Sequence, residues 1–406
     1  MKKGCLRLKK YAKLIPMGWE ELIDSLDELE TKREYDGYFC SVKNAVIILI
    51  LGSLCDLKNI KRIHEWASAA HVQEYLKKEF NIQRVPCYWW LLSLLSLITP
   101  ESLNKCMMRW VSEIAPRVFE RIQKEEKEKK ESTMNTSLTL SVDGKEIRST
   151  KKMDIYEEPI HIVSAHISEL KMTLAQETVA GKSNEIPAMQ NLIKSLEIEG
   201  YMVVADALNC QIDTAQAIVE KKADYLLCAK DNQPTLKRDI EDYVQTAALR
   251  AKMDSAQTSE RGHGRKEIRT AFTTDDVSWQ LGGRQWPALK CIGAVCTQFE
   301  DKNGKKSEQW HYYISSRNLS AKELLHHARQ EWSVETMHWL LDVLFGEDGC
   351  RIQTKTAQQN LNMVRKLALN IMRMYKQETK SKIALTALMF KSLLDPYQLL
   401  HILGKN

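Results

Sequence analysis

The spacing of apolar residues changes along this chain of 406 residues, and the change limits the folds that it can adopt. From residue 15 to residue 120, apolar positions recur at helical spacing and almost no strand-like run occurs. From residue 138 onwards, short apolar runs of the strand type alternate with helical segments. A charge-dense stretch between Arg121 and Ser137, either a solvated helix end or a linker, separates the two patterns. The sequence therefore predicts a helical unit followed by an α/β unit.

Membrane insertion and export are not expected. The two most apolar runs, Ala45 to Cys55 and Tyr88 to Ile98, are each about half of the ~20 residues that span a bilayer. We therefore predict that both are buried helices. The ten cysteines show no CxxC spacing, which argues against a zinc knuckle or a disulfide framework. These features predict a reduced, cytoplasmic protein with no membrane partner.

The second half of the chain begins with five runs of the strand type. They are Leu138 to Val142, Ile160 to Ile167, Met172 to Val179, Met202 to Ala207 and Asp224 to Ala229. Helical stretches from Glu185 to Leu196 and from Gln211 to Lys221 separate the later runs. Three strands followed by alternating helices and strands predict an α/β fold with a mixed sheet flanked by helices.

The pattern after residue 231 predicts a β-rich insertion and then more helices. The insertion combines one helix, around Leu236 to Ala247, with strand-like runs at Glu267 to Thr274, Leu289 to Phe299 and Gln309 to Ser315. Ser320 and Glu323 have the spacing of a capping box, which predicts a long helix ending near Phe345. Two further helices are expected near Ala357 to Tyr375 and Ile383 to Leu403.

Two aspartates stand at the ends of strand-like runs. Asp143 directly follows the run that ends at Val142, and Asp206 lies near the end of the apolar segment MVVADA. Taken alone, Asp143-Gly144 is more typical of a turn. Asp206 is harder to explain in that way, because burying an unpaired carboxylate costs several kcal/mol. It therefore requires a cation.

The predicted helix from residue 320 to residue 345 carries further acids. Glu331, Glu335, His338 and Asp342 follow one another at spacings of four, three and four residues, so they share one face. Such a stripe is most often the solvated side of a helix. The tryptophans at positions 332 and 339 add more apolar bulk than a solvated face normally carries.

Three carboxylates from two strands and a distant helix match the needs of two Mg²⁺ ions, which prefer hard oxygen ligands and open positions for phosphate and water. Four basic residues are candidates for holding phosphate: Lys145, Lys230, His263 and Arg265. The last two lie in ERGHGRKE, for which a mobile glycine loop is an equally good interpretation. The net charge of +6 is compatible with an anionic partner but does not identify one.

The chain resembles the H-repeat-associated insertion-sequence transposases, which belong to the DDE superfamily. The resemblance covers nearly the whole chain, and its motifs are specific in combination. The matching segments are DGKEIRST (143–150), HIVSAH and the KSNEIPA after it, ADALNCQ (205–211), ADYLLCAKDNQPTL (223–236), RGHGRKEIR (261–269) and HWLLDVLFGEDGCRI (338–352).

The resemblance implies an RNase H-like catalytic domain in which Asp143, Asp206 and Glu335 are the catalytic residues and metal ligands. It implies two Mg²⁺ ions, for which Mn²⁺ can substitute, and DNA partners, namely the element ends and the target. We also expect a homo-oligomer in the active complex and a cytoplasmic protein that joins the nucleoid when bound to DNA. His338, Asp342 and Arg351 are expected to support the ligands.

We expect three parts: a helical domain at 1–130 for DNA recognition or assembly, a catalytic domain at 131–376 with its insertion at about 231–318, and a helical segment at 377–406. The sequence departs from the family pattern at three positions. Thr336 replaces Asn, Glu331 replaces His, and Asp231 replaces Gly. None of these changes removes a triad carboxylate.

The expected reaction is cleavage at the element ends followed by strand transfer into target DNA. Two alternatives are a catalytically inactive, transposase-derived DNA-binding protein and an RNase H-like nuclease without strand transfer. Glu331 and Asp342 compete with Glu335 for the third ligand position. One helical turn is 5.4 Å, so these acids cannot replace one another without moving the helix. We choose Glu335 because it matches the family's catalytic position.

Overall fold

The computed structural model describes residues 18–35, 39–128, 137–152, 158–180, 185–262, 265–278, 285–300 and 304–405. The first part of that chain is helical, as the apolar spacing predicts. Its helices are α1 (Trp19–Ser25), α2 (Val42–Ser53), α3 (Ile60–Ala67), α4 (Ala70–Phe80), α5 (Tyr88–Leu97) and α6 (Pro100–Glu128). The charge-dense stretch therefore continues α6 as far as Glu128.

The two apolar runs of this part form helices but differ in burial. In α2, every residue from Ala45 to Ser53 is buried, so that prediction is confirmed. In α5, the buried residues are three leucines of one face, whereas Trp89 and Trp90 are 72% and 39% exposed. The prediction of a buried helix therefore holds for only one face of α5, because its aromatic first turn lies at the surface.

The second part of the chain is built on one mixed sheet of nine strands. They are β1 (Thr139–Glu146), β2 (Ile160–Ile167), β3 (Met172–Ala180), β4 (Met202–Ala205), β5 (Asp224–Ala229), β6 (Asp254–Gly262), β7 (Arg265–Thr274), β8 (Cys291–Glu300) and β9 (Lys306–Ser315). The strand order is β3-β2-β1-β4-β5-β9-β8-β7-β6. Strands β1, β2 and β3 are antiparallel, while β1, β4 and β5 are parallel. This half of the sheet has the RNase H-like arrangement, and the predicted fold class is confirmed.

The strands of the predicted insertion extend the same sheet. Strand β9 pairs antiparallel with β5, with Leu226 opposite Ser315, and β8, β7 and β6 follow outwards. Strand β6 was not predicted from the sequence. Its residues, DSAQTSERG, lack apolar alternation, and the strand forms through backbone pairing with β7 at the outer edge.

Nine further helices lie in the described part of this region: α7 (Glu185–Ser195), α8 (Ile212–Glu220), α9 (Pro234–Gln245), α10 (Ala247–Arg250), α11 (Ala321–Gln330), α12 (Trp332–Phe345), α13 (Lys355–Thr379), α14 (Leu385–Leu394) and α15 (Gln398–Leu403). The predicted capping box at Ser320 is present. Two long helices expected from the sequence are each divided. One is interrupted at Glu331, and the other breaks where extended Asp395 precedes Pro396.

Helix α13 joins the helical part to the sheet. The amide of Asn360 donates to the carbonyls of Leu95 and Ile98, at 2.8 and 2.9 Å. Nearer the end of the helix, Asn370 exchanges two hydrogen bonds with the backbone of Thr173 on β3. The largest cluster of buried apolar side chains includes residues of both parts. The division at residues 130 and 376, and the insertion at about 231–318, remain our proposals for the domain boundaries.

The lengths of the helices and the state of the cysteines bear on the predicted environment of the protein. Within the described ranges, no helix combines the length and the apolar character needed to cross a bilayer. The nine cysteines that the structure describes, from Cys40 to Cys350, are all free, and eight of them are buried.

Candidate active site

Asp143 and Asp206 lie side by side at one edge of the sheet. Strands β1 and β4 are parallel neighbours, and their last paired residues are Val142 and Ala205. Asp143 and Asp206 are the residues that follow this pair along the chain, and neighbouring strands are about 4.8 Å apart. Asp143 is still paired within β1, whereas Asp206 accepts a hydrogen bond from the backbone N–H of Asn209 and caps a short 3-10 helix.

Helix α12 brings Glu335 to the same region. Burial, followed by the negative charges of Asp206 and Glu185 and, more weakly, of Glu335, raises the pKa of Asp143 from 3.8 to about 7. Glu335 itself is exposed and lies in the first turn of α12. The three predicted triad residues therefore act electrostatically on one another although they are far apart in sequence.

Glu331 belongs to the same group of acids. It occupies the break between α11 and α12, where burial raises its pKa from 4.5 to about 7. The positive charge of Lys230 opposes this rise, whereas the charges of Asp206, Glu335 and Asp143 reinforce it. The residue that departs from the family's usual histidine thus adds a carboxylate next to the predicted ligands.

A further carboxylate, Glu185, is a site residue that we did not predict. It is 3% exposed at the start of α7, and its Oε2 lies 2.8 Å from Nε2 of His161. The Asn209 amide donates to Asp206 Oδ1 at 2.9 Å and approaches Glu185 Oε1 at 3.4 Å. Glu185 stands in the matching segment KSNEIPA, which was the available signal for it.

Gly144 is required by this packing. A Cβ atom at Gly144 would lie 2.4 Å from Nε2 of His161 and 2.6 Å from Oε2 of Glu185. Contacts this short force neighbouring atoms to move. The glycine after Asp143 therefore makes room for the Glu185–His161 pair, and Asp143 itself continues the strand.

The three residues expected to support the ligands differ in placement. Nε2 of His338 lies 3.7 Å from Oδ2 of Asp143. Burial, followed by the charges of Lys366 and Lys145, lowers the pKa of His338 well below its usual value, so the ring is neutral. Asp342 is turned towards Lys145, at 3.4 Å. Arg351 follows the turn after α12 and is exposed.

The four predicted phosphate-binding residues are also distributed unevenly. Lys230 is exposed at the end of β5, near Glu331. Lys145 is only 16% exposed and forms ion pairs with three carboxylates. Arg265 begins β7, opposite Gly262 in the β6–β7 hairpin. His263 lies outside the residues that the structure describes.

A cleft of about 480 Å³ adjoins the carboxylates. It lies between strands β7, β8 and β9 on one side and helices α11 and α12 on the other. Its charged lining residues include Lys230, Arg269, Arg329, Glu331 and Glu335. The outer half of the sheet thus forms one wall of a groove that runs up to the candidate active site.

The donor atoms of this site suit a hard divalent cation. Asp143, Asp206 and Glu335 supply only carboxylate oxygens, and burial, followed by the charges of neighbouring carboxylates, raises the pKa of Asp143. Among the described residues, the trios whose ligand atoms all lie within 4.8 Å of one another are Glu169–His326–His327 and Asp342–Glu347–Asp348. The triad is not one of these trios, which is compatible with ligands shared between two ions.

Comparisons with known proteins identify the family of this chain. The sequence profile of the family described as "Transposase DDE domain" matches residues 135–371. The chain is 36% identical to "Putative transposase YncI" of Escherichia coli O157:H7 over 243 residues, which are 58% of this chain and 61% of that protein. It is 28% identical to "H repeat-associated putative transposase YhhI" of Escherichia coli K12 over 306 residues, covering 74% of this chain and 76% of YhhI.

Among solved structures, the chain is similar to piggyBac transposase in its synaptic complex with hairpin DNA, with a TM-score of 0.39 and 10% identity over 96% of this chain and 82% of that one. The profile match spans more than half of the chain and includes all three predicted triad residues. The profile match and the relatives together confirm the resemblance to the H-repeat-associated transposases. The family implies the use of a divalent metal. The chain belongs to the DDE transposase family.

Proposed function

We propose that this protein is an active DNA transposase, which cleaves phosphodiester bonds at the ends of an insertion sequence and joins the freed 3′ ends to target DNA. One observation carries the proposal. Asp143 lies on β1 beside the end of the parallel strand β4, which Asp206 directly follows, and the charges of Asp206 and Glu335 act on Asp143. A site that accumulates uncompensated carboxylates fits a protein that binds cations there and works on a polyanionic substrate.

We propose Asp143, Asp206 and Glu335 as the ligands of two Mg²⁺ ions, with Mn²⁺ as an alternative. When bound, the ions would neutralise charge on the scissile phosphate and favour deprotonation of the attacking water or 3′-hydroxyl. The protein's own part is to hold the three carboxylates. Asn209 fixes Asp206 through a 2.9 Å hydrogen bond, and neutral His338 lies beside Asp143 without adding charge.

Lys230 is the described basic residue best placed to contact the DNA backbone. It is exposed, it lines the cleft that also contains Glu335, and its charge acts on Glu331. Together with Arg265 at the start of β7 and with His263, it would hold phosphates and orient the DNA strand towards the carboxylates. Correct placement of the reacting phosphate contributes a large part of the rate in such reactions.

The DNA partners that we propose are the element ends and the target. Because two ends must be cut and joined to one target, we also propose that the active complex contains more than one copy of the chain. In the cell, we propose that the protein is cytoplasmic and joins the nucleoid when it binds DNA.

The test is a Mg²⁺-dependent cleavage assay on DNA that carries the element's own ends. We expect the wild-type protein to nick at the ends and to join them to a second DNA molecule. Glu335→Gln, which keeps size but removes charge, should abolish cleavage while folding and DNA binding persist. Glu331→Gln is the matched variant, four residues away in the same group of acids, and should retain measurable activity.

Other results of this assay would support a different function or a different triad. Tight DNA binding without nicking by the wild-type protein would favour a repurposed DNA-binding protein. Hydrolysis without joining would indicate a nuclease of the same fold. If Glu335→Gln cleaves normally and Glu331→Gln is inactive, Glu331 is the third ligand and the triad must be reassigned.

A further inference from the structure

Lys145 lies two residues after Asp143 on β1 and is surrounded by acids. Its Nζ atom is 2.6 Å from Oε2 of Glu347, 3.4 Å from Oδ2 of Asp342 and 3.5 Å from Oδ1 of Asp348. An ammonium group has three N–H donors, and here three carboxylates surround them. At 16% exposure, this side chain is poorly placed to receive a phosphate.

The three carboxylates belong to the end of α12 and to the turn that follows it. Gly346, with φ of +63°, ends the helix in the left-handed conformation that favours glycine. The chain then folds back, and the N–H of Asp348 donates to Oδ1 of Asp342 at 2.9 Å. Glu347 also accepts a hydrogen bond from Asn362 of α13. Lys145 thus connects β1 to a turn that is itself held to two helices.

Lys145 is one of three contacts made by a single face of β1. Alternate residues of a strand point to the same side, so Ser141, Asp143 and Lys145 share a face. Ser141 Oγ donates to the carbonyl of Gln330, just before α12, at 2.8 Å. Asp143 lies 3.7 Å from His338 in the middle of α12, and Lys145 holds the end of the helix. One face of β1 therefore contacts the end of α11, the middle of α12 and the turn that follows α12.

We propose that Lys145 is a positioning residue, which fixes α12 along β1 and so sets the placement of Glu335 relative to Asp143, and that it is not a contact to the DNA backbone. This inference rests on the proposed function of the same site. It differs from the sequence-based expectation, in which Lys145 holds phosphate, because its donors are directed at the turn after α12.

The first test compares Lys145→Met with Lys230→Met in DNA binding and cleavage. A neutralised phosphate contributes a slope of about 0.9 to the dependence of log affinity on log salt concentration. We expect Lys230→Met to lower that slope by about 0.9 and Lys145→Met to leave it unchanged. In cleavage, Lys145→Met should lower kcat by about 10- to 100-fold with little change in KM for DNA. Lys145→Arg should restore part of kcat, because a guanidinium can also pair with the carboxylates.

Two results would overturn the proposal: a slope lowered by about 0.9 in Lys145→Met, or a folded Lys145→Met protein that cleaves at the wild-type rate. If the buried carboxylates prevent Lys145→Met from folding, the double variant Lys145→Gln with Glu347→Gln keeps the local charge balance, because it removes one positive and one negative charge together. It should fold, keep the wild-type salt slope and still lose kcat. A double variant with wild-type kcat would equally refute the positioning role.

A separate readout uses no DNA. Electron paramagnetic resonance of free Mn²⁺ measures how tightly the metal-free protein binds this ion. Disturbing residues that hold metal ligands typically costs 10- to 100-fold in affinity, so we expect a loss of about that size in the double variant and none in Lys230→Met. Wild-type affinity in the double variant, or no Mn²⁺ binding by the wild-type protein, would overturn the proposal. Mn²⁺ binding without DNA cleavage would instead count against the proposed function alone.

Discussion

Replacing Asp143 by asparagine should make the metal-free protein more stable at pH 8. Asp143 is surrounded by the charges of Asp206, Glu185 and Glu335, and burial together with these charges raises its pKa from 3.8 to about 7. The folded state therefore binds this proton more tightly than the unfolded state does. Linkage then requires stability to fall as the pH rises from about 4 to about 7, with the full loss present above pH 7.

The size of the effect follows from the pKa rise. Each pKa unit corresponds to 1.36 kcal/mol, so a change from 3.8 to about 7 gives about 4 kcal/mol as the upper limit. The Asp143 side chain is 27% exposed, and solvent screens part of the repulsion. We expect Asp143→Asn to increase the free energy of unfolding by about 2 to 4 kcal/mol at pH 8 and by much less at pH 4.

Urea unfolding in EDTA, followed by tryptophan fluorescence and circular dichroism at both pH values, measures this difference. Asp242→Asn is a suitable control, because Asp242 is an exposed acid on α9. It should change stability by less than about 0.5 kcal/mol at either pH. If Asp143→Asn is no more stable than wild type at pH 8, or gains equally at pH 4 and pH 8, the carboxylates do not repel one another as inferred.

Three further predictions concern the candidate active site and helix α11. Adding Mg²⁺ should raise the melting temperature of the wild-type protein at pH 8 and have little effect at pH 5, where Asp143 is protonated. Equal increases in melting temperature at both pH values would place the stabilising ion at another site. Gly144→Ala should lower the free energy of unfolding by about 1 to 3 kcal/mol, since the new Cβ atom would lie 2.4 Å from Nε2 of His161. Gly349→Ala is the control and should be nearly neutral in the same urea titration, because a Cβ atom there would have no neighbouring atom within 4 Å. Ser320→Ala should cost about 1 kcal/mol by removing the capping box of α11, and unchanged unfolding would show that this end of the helix is held by other contacts.

Most elements could be predicted because the local pattern and the tertiary contacts agree. The run from Ile160 to Ile167 is apolar enough to be recognised, and it forms β2 with the predicted bounds. Strand β6 could not be recognised, because its polar residues carry no period and its strand geometry comes from pairing with β7. The break at Glu331 was also missed, since a half-buried acid between α11 and α12 has no distinct signature in the sequence.

For the candidate site, the sequence was enough to select carboxylates and basic residues, but it did not show which side chains surround them. Asp206 could be selected because a carboxylate at the end of an apolar strand is costly to bury, whereas Asp143 was supported by the family resemblance. Lys145 was expected to hold phosphate because it follows Asp143 closely. Its real partners, which include Glu347, lie about 200 residues away in sequence, so local reasoning could not find them. Glu185 was also missed, although it stands in the matching segment KSNEIPA.

The sequence by itself determined the α/β class, the order along the chain of the first five strands and the helices between them, and membership of the DDE transposase family. These properties depend on apolar period and on motifs, which are local in the chain. Only the tertiary structure decided which charges meet. Parallel pairing of β1 with β4 aligns Asp143 with Asp206, and the packing of α12 against β1 adds Glu335 to them and encloses Lys145. Electrostatic energy depends on distance and burial, and neither quantity is fixed until the chain has folded.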